Sequence, residues 1–124
     1  MAALKKVLYA DDATEWRHKA KLYFEKRYVR YKIEQDADAA VKSILEFDPD
    51  LIILDELDLM CFDVMARVPN HQNKVVIYTG YAPILKKADE MGISNYRKEA
   101  GSSKKTLDTI LRNHLGINPK VRPS

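Results

Sequence analysis

Short apolar runs alternate with longer amphipathic stretches along almost the whole chain. The runs fall at 6–10, 29–33, 51–54 and 75–78 and are rich in Val, Ile, Leu and Tyr, the composition of β-strands. The third run, Leu51-Ile52-Ile53-Leu54, has no polar alternation, which predicts a central strand covered on both faces. A weaker fifth run spans 94–97. The stretches between have helical spacing. Thr14 is the expected N-cap of a first helix, with Trp16, Ala20, Tyr23, Phe24 and Arg27 at three- and four-residue intervals. Asp36 or Asp38 opens a second, with Ala40, Val41, Ile44 and Leu45 inward, and Asp48 and Pro49 end it. A third runs over 62–68 and stops at Pro69. Pro83 suits the first turn of a fourth, with Leu85, Ala88 and Met91 on one face and Gly92 closing it. Ser102 or Ser103 caps a fifth, with Leu107, Ile110, Leu111 and Leu115 inward and Gly116 at its end.

Strand followed by helix, five times over, predicts an α/β domain with a parallel sheet and helices on both faces. The 124 residues suit a single domain, expected at 1–117, with 118–124 as a disordered C-terminal tail carrying two prolines. At 46% hydrophobic and 31% charged the chain reads as globular, and a net charge of +3 does not by itself imply a nucleic-acid partner. No apolar run approaches the ~20 residues of a membrane span. Val7 to Ala10 runs directly into Asp11 and Asp12, too short and too acidic for a signal peptide, so the expectation is a cytoplasmic protein with no membrane association. Cys61 is the single cysteine and has no neighbouring Cys or His at ligand spacing. His18, His71 and His114 form no motif.

In open parallel sheets the functional crevice lies beyond the carboxyl ends of the strands. Asp11 and Asp12 follow the first run, Asp55 ends the third, Thr79 and Gly80 the fourth, and Lys98 follows the fifth. Carboxylates brought together raise one another's pKa unless a cation intervenes, and Mg²⁺ suits one or two carboxylates plus phosphate oxygens. A hydroxyl and an ammonium nearby could hold further phosphoryl oxygens. The chemistry suggested is phosphoryl transfer to a carboxylate.

The motifs VLYADD, LIILD, VVIYTG and YRK, at these separations, resemble the receiver domain of bacterial response regulators, the CheY-like family, over about residues 5–115. The resemblance implies a flavodoxin-like (βα)5 doubly wound fold, with a five-stranded parallel sheet in the order 2-1-3-4-5. It implies Asp55 as phosphoacceptor and Mg²⁺ held by Asp11, Asp12, Asp55 and the backbone carbonyl of Leu57, Asp11 acting mainly through water. It implies Thr79 and Lys98 on the phosphoryl group, and Tyr96 as the aromatic that swings inward on activation. The implied partners are a sensor histidine kinase or histidine phosphotransfer protein as donor and a downstream protein target. A signalling role of this kind is not that of an enzyme, beyond self-phosphorylation and autodephosphorylation.

The sequence departs from that pattern in two places. The family's proline four residues after the acceptor and its glycine near the next helix are Leu59 and Asp63 here, and Glu56 and Asp58 add acid to the loop. The family's lysine lies seven residues after the glycine closing the fourth helix and precedes a proline. Counting from Gly92 reaches Glu99, one past Lys98, with no proline after either. Consecutive strand residues face opposite sides, so either Lys98 or Glu99 fills the lysine position. A carboxylate there favours the alternative function, a pseudo-receiver that binds proteins without phosphorylation. Flavin electron transfer on such a fold is disfavoured, because Asp11 and Asp12 repel a phosphate. The basic residues Arg17, Lys19, Lys21, Lys26, Arg27, Arg30 and Lys32 are read first as a solvated face, and second as a docking surface for an acidic partner.

Overall fold

A computed structural model describes residues 3–120; positions 121–124 of the expected tail lie outside the described residues. Five strands and five helices alternate: β1 (Lys5–Ala10), α1 (Thr14–Glu25), β2 (Val29–Glu34), α2 (Ala37–Phe47), β3 (Leu51–Leu54), α3 (Cys61–Arg67), β4 (Val75–Thr79), α4 (Ala82–Glu90), β5 (Asn95–Arg97) and α5 (Ser103–Leu115). All strand pairs are parallel and the order is β2-β1-β3-β4-β5, the doubly wound arrangement expected. A 3-10 helix at Pro69–Lys74 joins α3 to β4; its polar sequence carries no hydrophobic period to announce it. Among the described residues no helix is long and apolar enough to cross a membrane.

The sheet separates two cores, because successive strand side chains point to opposite faces. Leu8, Ala10, Ile52, Leu54 and Ile77 meet Val41 and Ile44 of α2, Val64 of α3 and Ala88 of α4. Val7, Tyr9, Leu51, Ile53, Val76 and Tyr78 meet Phe24 of α1 and Leu107 and Ile110 of α5. Every residue of β3 is at most 1% exposed, as a strand in the middle of a covered sheet must be.

Several details differ from the sequence reading: Arg27 lies beyond the end of α1, and Ser102 stands at the N-cap of α5 without a capping side-chain bond. Thr14 is the first helical residue of α1 and not its cap. The Ala13 backbone N–H donates to Asp11 Oδ1 at 3.0 Å, so the upstream carboxylate fixes the start of the helix, and the Thr14 hydroxyl accepts from Arg17 instead. Leu45 is 60% exposed, since α2 buries Ala40, Val41, Ile44 and Phe47 and Leu45 lies a further 100° or so round the helix from Ile44. Met91 falls beyond the last turn of α4 and is exposed, and Ile84 is the inward residue in its place. Asp36 does cap α2, accepting from the Ala39 N–H at 2.8 Å. Gly116 closes α5 in the left-handed conformation at φ 64°, where a Cβ is unfavourable.

The β3–α3 loop is unusual. Leu57, Asp58 and Leu59 all have positive φ, at 50°, 55° and 68°. Only glycine enters this region without penalty; other residues lose roughly 1–2 kcal/mol each. The turn is held by a hydrogen bond from the Met60 N–H to the Leu57 carbonyl, 3.0 Å, and by burial of the Leu57 side chain, 3% exposed. The missing proline has its explanation here: proline requires φ near −65°, and Leu59 stands at 68°.

Candidate functional site

The carboxyl ends of β1 and β3 are adjacent, and the Asp55 N–H donates to the Ala10 carbonyl at 2.9 Å. This continues the ladder by one step and sets Asp55 beside Asp11. One carboxylate oxygen from each of Asp11, Asp12 and Asp55 lies within 4.8 Å of the others. Asp11 is fully buried, Asp55 is 3% exposed, and Asp12 is exposed. Asp11 is fixed on both oxygens, with Oδ1 accepting from the Ala13 N–H at 3.0 Å and Oδ2 from the Tyr9 hydroxyl at 2.9 Å. Burial and the adjacent Asp11 carboxylate raise the Tyr9 phenol pKa, so it remains a donor.

Lys98, not Glu99, reaches this cluster. The Lys98 N–H donates to the Thr79 carbonyl at 2.9 Å, extending the β4–β5 pairing past Arg97. That register turns the Lys98 side chain inward, only 8% exposed, and leaves Glu99 exposed. The Lys98 ammonium donates to Asp55 Oδ1 at 2.8 Å and also to Asp11 Oδ2. It lies 4.8 Å from the Trp16 ring centroid and 5.8 Å from that of Tyr78, and these two rings meet edge to face at 6.0 Å. The cation thus lies between an aromatic wall on one side and the carboxylates on the other.

Glu56 is the residue whose part the sequence did not reveal. Its carboxylate accepts from the Thr79 hydroxyl. The Thr79 oxygen in turn accepts from the Tyr81 N–H at 3.1 Å. Thr79 is wholly buried, so its hydroxyl is committed to a neighbour. The Leu57 carbonyl is engaged with the Met60 N–H, and the Leu57 N–H lies 3.4 Å from Asp55 Oδ2. Tyr96 is half-buried, with its hydroxyl on His114 Nε2 at 2.8 Å.

Burial, the hydrogen bond with Glu56 and the Asp11 charge push the Asp55 pKa up to about 8, against the opposing pull of Lys98. Burial also disfavours ionisation of Glu56, but hydrogen bonds from Asp55 and Thr79 outweigh it and hold that carboxyl below its usual range. The cluster therefore has more acid than one ammonium neutralises, which favours the protonated form of Asp55. An all-oxygen set with excess negative charge fits a hard divalent cation. A cavity of about 410 Å³ opens over it, walled by Trp16, Gly80 and Tyr81.

The fold is that of response-regulator receiver domains. The signal receiver domain of a putative LuxO repressor protein from Vibrio parahaemolyticus is 24% identical, with a TM-score of 0.73 and 91% of each chain covered. The response regulator domain of Thermotoga maritima CheB is 19% identical, with a TM-score of 0.74 over 94% of this chain and 99% of that one. A CheY-like receiver domain protein from Methanospirillum hungatei is 20% identical, with a TM-score of 0.69 over 91% and 95%. No protein-family model and no curated protein matches the sequence.

Proposed function

We propose that this chain is a phosphoacceptor module of a two-component phosphorelay, acting in the cytoplasm. Asp55 takes a phosphoryl group from a sensor histidine kinase or histidine phosphotransfer protein, and the phosphorylated form binds a downstream protein differently. The observation that carries this reading is the Lys98 ammonium, 2.8 Å from Asp55 Oδ1 and shared with Asp11. In the transfer an Asp55 oxygen attacks phosphorus, the P–N bond to the donor imidazole breaks, and its electron pair stays on the imidazole. Asp11, Asp12, Asp55 and the Leu57 carbonyl would hold Mg²⁺, which would supply charge neutralisation. A cation entering the cluster favours the ionised Asp55 that attacks. Lys98 then moves with the phosphoryl oxygens, and Thr79 must exchange Glu56 for the phosphoryl group.

That last requirement supports a second reading, a pseudo-receiver, because Glu56 already occupies the Thr79 hydroxyl. Acetyl phosphate with Mg²⁺ separates the two. Under the first reading intact mass gains one phosphoryl group, hydroxylamine removes it, Asp55→Asn abolishes it, and Glu56→Gln labels faster than wild type. No labelling of wild type or of Glu56→Gln at any Mg²⁺ concentration leaves only the pseudo-receiver.

A further inference from the structure

A second cavity lies away from the acid cluster, between the C-terminal half of α1 and the start of α5. Its volume is about 340 Å³, within the range of small-ligand sites. Four of the seven lining residues, Lys19, Lys26, Arg27 and Lys104, are basic and none is acidic. Leu22 and Tyr23 form an apolar wall, and Ser103 brings in the first turn of α5. Lys26 and Lys104 are exposed and Lys19 is half-buried; Lys19 also reaches Glu15 at 3.4 Å on the outer face of α1.

Two independent features make this more than a basic surface. The 13-residue α5 begins at Ser103 with no side chain capping its first N–H groups, and such uncapped groups at the positive end of the helix dipole attract anions. Arg27 is 3% exposed, and its Nε has no hydrogen-bond partner among the described residues. Its carboxylate partner, Asp108, lies 3.5 Å from Nη2 and also accepts from the Tyr23 hydroxyl at 2.5 Å. The guanidinium packs 4.1 Å from the Tyr23 ring centroid. A guanidinium has five donors, and a buried charge left short of partners is costly. Arg27 is thus a buried cation with one long ion pair, at the wall of a cavity lined by other cations and a helix N-terminus.

We propose that this cavity binds a small phosphate-bearing organic anion, its phosphate on Arg27, Lys26, Lys104 and the α5 N–H groups, its apolar part against Leu22 and Tyr23. The site is independent of any chemistry at Asp55. The test is an amide ¹H–¹⁵N titration of the full chain carrying Asp55→Asn, without divalent cations, so that the acid cluster contributes no phosphoryl chemistry. The probes are AMP, inorganic phosphate and adenosine. AMP should give saturable shifts centred on Tyr23, Arg27, Ser103 and Lys104, with phosphate weaker and adenosine weakest. Lys26→Gln with Lys104→Gln should weaken AMP binding about tenfold, the loss expected for two charge-assisted contacts. The same double change at the exposed Lys42 and Lys86 should leave it unaltered. Equal affinity for phosphate and AMP overturns the organic part of the assignment. Absence of saturable shifts at these residues, or an equal effect from the two lysine pairs, overturns the site.

Discussion

Glycine normally destabilises a folded chain relative to alanine by roughly 0.5–1 kcal/mol, because it loses more backbone freedom on folding. At position 59 the order should reverse. Leu59 stands at φ 68° and is 58% exposed, so its side chain contributes little burial while its Cβ carries the left-handed penalty of roughly 1–2 kcal/mol. Leu59→Ala keeps that penalty, and Leu59→Gly removes it at the entropic cost just given. The difference leaves Leu59→Gly more stable than Leu59→Ala by about 0.5–1 kcal/mol. With a urea slope on the order of 2 kcal/mol/M, the denaturation midpoints should differ by ~0.3–0.5 M. Leu59→Pro, which installs the residue receivers carry there, should be less stable than either, since its ring excludes positive φ. A Leu59→Ala midpoint at or above that of Leu59→Gly would refute the left-handed turn.

The remaining predictions concern the charges and one cap. Lys98→Met removes a nearly buried cation from two carboxylates and should destabilise the metal-free protein by about 3 kcal/mol in urea, whereas Glu99→Met, on the exposed side, should change little; equal effects would contradict the register. Asp36→Ala removes the N-cap bond to Ala39 and should cost about 1 kcal/mol, an unchanged melting temperature arguing against that cap. Burial lowers the His114 pKa, so the unfolded chain takes up its proton first as pH falls below about 6.5. This part of the stability is present above that pH and lost below it, and His114→Gln should flatten the fall between pH 7 and pH 5; a parallel profile in the variant would remove His114 from the account.

The fold was legible because its central strands are short and apolar and its helices keep a clear period. Four of the five runs match strands to within one residue at each end, and β3 matches throughout. The errors fall where periodicity has no force. Leu45 stands next to Ile44 in a stretch apolar on more than one face, and α2 buries Phe47 instead. The site's acid cluster was legible from strand ends alone. The choice between Lys98 and Glu99 was not, because β5 has only three residues and one more hydrogen bond, Lys98 to Thr79, decides which side chain turns inward. Glu56 was visible only as extra acid in a loop. The left-handed turn that follows it, Leu57-Asp58-Leu59, contains neither Gly nor Asn to signal it.

The ion pair that joins Asp11 to Lys98 spans 87 positions of sequence. During synthesis the first residue is present almost from the start, and β1 can pair with β3 once Leu54 has emerged. Lys98 follows only after a few seconds at ordinary elongation rates. In that interval a nascent chain can hold Asp11, Asp12 and Asp55 together without the ammonium that later lies between them. Those carboxylates then repel one another unless they borrow a cation from the surrounding solution. A dissolved divalent ion would thus help the half-made protein to fold before its own ammonium had been made.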